Sequence, residues 1–78
     1  MAGWSIEDAV AMERRHVLVG EKMITRQEHL ANELVGNGRD QLAQSANEVL
    51  VILRESLDLS RRHLSRLEVL LRDAPKSK

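Results

Sequence analysis

The sequence predicts an all-α fold: an antiparallel hairpin of two long helices that dimerises into a four-helix bundle. Three observations predict it. Apolar residues recur at helical spacing on both sides of Gly36-Asn37-Gly38. The only proline is Pro75, so nothing interrupts either helical pattern. And each pattern carries an apolar arc of roughly 200°, wider than the ~100° stripe of an ordinary surface helix.

The first helix opens at Ser5, where Ser5 and Asp8 have the spacing of a capping box and Trp4 precedes as a staple to Ala9. It runs to Val35, with residues 1–4 as an N-terminal extension. Gly36 suits the left-handed position that closes a helix, and residues 36–39 form the turn. Asp40 is the expected N-cap of a second helix that reaches Asp73. Pro75 then stops the chain's helical run, leaving 75–78 as a flexible tail of a hairpin spanning 5–74. A connection of four residues between long helices favours an antiparallel hairpin.

On the second helix Leu42, Ala46, Val49, Leu53, Leu57, Leu64, Leu67 and Leu71 point in one direction, with Ala43 and Leu50 widening that stripe on one side and Ile52, Leu59 and Leu70 on the other. Ile6, Ala9, Val10, Val17, Met23, Ile24, Leu30, Ala31 and Leu34 do the same on the first. A helix in a four-helix bundle touches two neighbours and needs such an arc. The expected oligomer interface is therefore Val17, Ile24, Leu30, Leu34, Leu42, Val49, Leu53, Leu57, Leu64 and Leu67. A different protein supplying two helices would satisfy the pattern equally well.

Composition narrows the function. Lys plus Arg equals Asp plus Glu, at 12 each, so no net field favours nucleic acid or an anionic membrane. The basic residues Arg61, Arg62, Arg66 and Arg72 spread around the helix, and Asp58–Arg62 and Glu68–Arg72 read as i,i+4 pairs. No apolar run is long enough to span a bilayer, and the N-terminus lacks a secretory pattern. There is no cysteine, which fits a reducing compartment and rules out disulfides. Small domains without disulfides commonly lean on oligomerisation. The expectation is a cytoplasmic protein with no cofactor, nucleic acid or membrane partner, present as a homodimer or higher homo-oligomer, with a separate protein partner left open. No nucleophile–base order or phosphate loop supports catalysis, so no enzyme is expected.

Polar residues interrupt the stripe. Folding the chain about residue 38 places Gly20 beside Ser56 or Leu57, His16 beside Ser60, and Glu13 beside His63. Glu13, His16, Gln27, Ser60 and His63 are thus expected as a polar core layer that is hydrogen-bonded and fixes register. The alternative is a metal site of Glu13, His16 and His63, since Glu13 and His16 have the Glu-x-x-His spacing of dimetal bundles. A third possibility turns these groups to water. His29, opposite the stripe, is expected to be solvated, and lacks the neighbours of a phosphoacceptor histidine.

The run Arg15-His16-Val17-x-x-Gly20-Glu21-x-x-Ile24-x-Arg26-Gln27-Glu28-x-Leu30, with Ser56-Leu57-x-Leu59-x-x-x-His63-Leu64, resembles a group of small uncharacterised helical-hairpin proteins of rhizobia and related alphaproteobacteria. The likeness covers residues 14–70. Gly38-Arg39-Asp40 stands where that group has Gly-His-Asp. The resemblance implies a bacterial cytosolic helical protein and singles out His16, Gly20, Glu21, Arg26 and Gln27; it carries no activity or substrate.

Overall fold

The computed structural model describes residues 5–73, which form two α-helices joined by a tight turn. Helix α1 spans Ile6–Gly36 and α2 spans Asp40–Asp73. They lie antiparallel: Arg14, Glu21 and Glu28 on α1 meet Glu68, Arg61 and Arg54 on α2, in that reversed order. The Trp4 staple, the alanine at 74, Pro75 and the tail lie outside the described residues.

Ser5 caps α1 as the sequence indicates. Its extended backbone lets the side-chain oxygen accept from the Asp8 amide at 3.1 Å, filling one of the four amide positions that a helix start leaves open. The turn differs from expectation in two places. Gly36 is the last helical residue, and the left-handed glycine is Gly38, at φ +73°. The helix therefore continues one residue further and closes as a Schellman motif. The Gly38 amide donates to the Val35 carbonyl at 3.0 Å, and the Arg39 amide to the Leu34 carbonyl at 2.9 Å. Asp40, expected as the N-cap of α2, is its first helical residue. Arg39 occupies the cap position, and its carbonyl accepts from the Ala43 amide at 2.9 Å. Asp40 still favours the helix start, as an acidic group at the positive end of the helix dipole.

The seam between the helices follows a seven-residue repeat. On α1 the rows are positions 10, 17, 24, 31 and 13, 20, 27, 34; on α2 they are 43, 50, 57, 64, 71 and 46, 53, 60, 67, all buried or half-buried. These are the a and d positions of an antiparallel coiled coil. Among the described residues only Ala9, Val10, Ala31, Ala43, Ala46, Leu50 and Leu57 are buried, and four of the seven are alanines. Small residues draw the backbones together but bury little apolar surface each. At Gly20 an added Cβ would stand 3.1 Å from Leu57 Cδ1. The glycine therefore leaves the hole that the Leu57 side chain fills, and Leu57 is one of the two neighbours that folding about residue 38 places beside it.

The molecule is a rod. Its radius of gyration is 17.8 Å, against roughly 11.5 Å for a compact chain of this length. Its extents are 63 × 21 × 15 Å, so it is about one helix thick. No described helix is long and apolar enough to cross a membrane.

Two substitutions separate the roles of the turn glycines. Gly36→Ala fits a helical position with open space around it, and should raise stability by roughly 0.5–1 kcal/mol. Gly38→Ala must hold a left-handed backbone and should lower it by about 1 kcal/mol. Urea unfolding at fixed protein concentration reads both.

Candidate docking face

With the seam as a and d, the two sides of the hairpin differ in chemistry. One side carries the e positions of both helices. There Arg14 Nη2 meets Glu68 Oε2 at 3.0 Å, Glu21 Oε2 accepts from Arg61 Nη2 at 2.9 Å, and Glu28 Oε2 accepts from Arg54 Nη2 at 2.8 Å. The members step by seven residues along each helix, so the repeat that buries the seam also aligns this ladder. Arg61 also approaches Asp58 at 3.9 Å. Glu68 is thus engaged across the hairpin by Arg14, where the sequence favoured Arg72. Each of these pairs is solvated and worth little singly, but together they cover the e side with charge.

The opposite side carries the g positions, with the c positions beside them. Here Met23, Leu30, Leu42, Val49 and Leu70 at g, and Met12, Val19, Ile52 and Leu59 at c, are all exposed. Ile52 and Leu59, at 65% and 64%, are the most exposed large apolar side chains described. Between them, midway along the rod, Gly20, Ser56 and Ser60 leave a groove of about 380 Å³ walled by Val19, Met23, Leu53 and Leu57. The remaining exposed large apolar residues lie away from this face: Leu18, Val35, Val51 and Val69 at b, e and f positions, and Ile6 at the open N-terminal end of the seam.

The interface expected from sequence therefore divides. Leu57 is buried, and Val17, Ile24, Leu34, Leu53, Leu64 and Leu67 are half-buried, in the hairpin's own seam. Leu30, Leu42 and Val49 are exposed on the g side. The stripe's centre is taken by the chain's other helix, and the surplus is its margin. Met12 and Val19 belong to that margin and were missed. Their seven-residue spacing, matched by Ile52 and Leu59, was the available signal.

The polar layer is also divided. Glu13 is at the seam with its side chain 12% exposed, and its Oε1 lies 3.4 Å from His63 Nδ1 and 3.6 Å from His16 Nδ1. Both imidazoles are more than half exposed, on the g side. Ser60 is half-buried beside the groove. Gln27 lies two heptads from Glu13, and its Nε2 donates to the Ala46 carbonyl at 3.0 Å. In the single hairpin, then, only Glu13, Gln27 and Ser60 are in the seam, and the histidines flank it. The sequence brought Glu13, His16 and His63 together correctly, but no group of three or more His, Cys, Asp or Glu among the described residues is placed to hold a metal ion. No buried side-chain nitrogen or oxygen among them lacks a hydrogen-bond partner. His29 is exposed, as expected.

The ladder gives a register test. Glu21→Lys should destabilise the hairpin by about 0.5–1 kcal/mol, and adding Arg61→Glu should restore most of the loss. Chemical denaturation of the wild type, the two singles and the double measures the coupling.

No known family model matches this chain, and neither the curated proteins nor the solved structures contain a significant match to it.

Proposed function

We propose that this chain is a small, non-catalytic interaction module of scaffolding or regulatory type, which self-associates through its g/c face into a four-helix bundle of two hairpins. The observation that carries the reading is the asymmetry of a single-layer rod: one broad side is laced with ion pairs, and the other holds exposed apolar side chains from Leu42 to Leu70, interrupted by polar groups such as His16, His63 and Arg66. Domains bury their apolar faces between at least two layers. Contiguous apolar surface of this extent marks an interaction site.

Three features favour a second copy as the occupant. The face offers on the order of 900 Å², from a helix of 31 residues and a breadth of 21 Å, against about 800 Å² per partner in a stable interface. It carries both projections and a recess, Ile52 and Leu59 beside the Gly20–Ser56 groove, as self-complementary twofold packing demands. And the formal net charge of zero sets no long-range repulsion between copies. The bacterial cytosolic setting belongs to the same proposal and rests on the residue resemblance alone.

Sedimentation equilibrium tests it. The expected mass is twice 8.9 kDa. Leu59→Lys should shift the protein to monomer, because it places a charge in the covered face, whereas Val51→Lys on the outer surface should leave the dimer intact. A folded monomer at high micromolar concentration would rule the reading out, and folding only with a different cellular protein would transfer the face to a hetero-partner.

A further inference from the structure

We propose that Glu13, His16 and His63 make the pairing of two hairpins proton-sensitive, so that the dimer assembled near neutral pH is released by mild acid. The inference rests on the pairing proposed above and adds its control.

The geometry is of two imidazoles sharing one carboxylate. His16 and His63 come from different helices, each has Nδ1 within 3.6 Å of the same Glu13 oxygen, and Glu13 is mostly buried at the seam. Both rings project on the g side, and His16 lines the groove that a second hairpin would fill. A docked copy therefore covers both rings.

Charge counting then sets the sign. One carboxylate balances one imidazolium but not two. The cations nearby add to the excess: Arg15 lines the groove with His16, and Arg66 follows His63 by one turn on α2. Arg62 borders Glu55 and Asp58 on the outer side. Arg14 and Glu68, the pair at this end of the ladder, are committed to each other. Ser60 adds no charge. The second copy's g and c positions carry, besides histidines, only Arg26, Arg66, Glu33 and Asp73, which sum to zero. In the free hairpin both rings are open to water, whereas under a second copy any imidazolium beyond the one that Glu13 balances is a positive charge removed from solvent. Histidine is the side chain whose ordinary titration crosses pH 5 to 8. A dimer that forms only after each copy loses this second proton weakens as pH falls, with a limiting slope of about 100-fold in Kd per pH unit.

The experiment is sedimentation equilibrium of the full chain from pH 8 to pH 5 at constant ionic strength, with far-ultraviolet circular dichroism alongside. The expected result is a dimer near neutrality whose Kd rises at least tenfold by pH 5. In the His16→Gln, His63→Gln double variant, whose side-chain amides can still donate to Glu13, Kd should not rise between pH 8 and pH 5. Glu13→Gln, which keeps the histidines but removes their only balancing charge, should dissociate at a higher pH than the wild type. Equal dimer strength at pH 8 and pH 5 would overturn the proton switch while leaving the pairing intact. Acid dissociation that persists in the double histidine variant would also overturn it, because carboxylates elsewhere would then be responsible. A monomer at pH 8 would overturn the pairing itself, and the switch with it.

Discussion

The seven-residue seam between α1 and α2 is the constraint on which everything else depends. A repeat of that length keeps a and d residues facing the other helix over the whole described length. It therefore also keeps e residues on one side and g residues on the other. In an antiparallel pair, each side receives the same heptad position from both helices. The chemistry of a whole surface is thus set by one letter of the repeat. Here e carries Arg14, Glu21, Glu28, Arg54, Arg61 and Glu68, and g carries Met23, Leu30, Leu42, Val49 and Leu70.

The composition of the seam explains why the rod leaves so much apolar side chain uncovered. Alanines at 31, 43 and 46, and Gly20 opposite Leu57, bring the backbones close and fix the register. Close approach improves packing but reduces the apolar area that each layer removes from water. Further large aliphatic side chains stand on the flank, where Ile52 and Leu59 remain mostly in solvent. A two-helix layer with a thin seam and a thick apolar margin keeps much of its apolar surface in water. That is why assembly, more than any chemistry within the hairpin, organises the functional reading.

Glu13 is the point where seam and flank meet. A glutamate at a d position is costly to enclose without a partner, and the sequence supplies two imidazoles at g, one from each helix. Both rings stay in contact with water while the hairpin is alone. His16 also lines the groove at Gly20 and Ser56, so the carboxylate at the seam is linked through it to the exposed side of the hairpin.

The sequence by itself determined the two helices, their antiparallel path and the meeting of Glu13 with His63, because these follow from local spacing and a short turn. Ser5 was legible as a cap for the same reason. The turn was legible only to within a residue or two: Gly36 and Gly38 are both plausible left-handed glycines, and only the closing hydrogen bonds choose Gly38. Tertiary structure alone decided how the wide stripe divides. Read on an isolated helix, Glu68 can pair with Arg72 as readily as with Arg14, and Leu57 and Leu59 belong to one apolar arc. Once the second helix is in register, Arg14 reaches Glu68, Leu57 is enclosed and Leu59 is left outside. The helical period tells which residues share a face, but how much of that face the chain can cover is set by how closely and at what offset its own two helices pack.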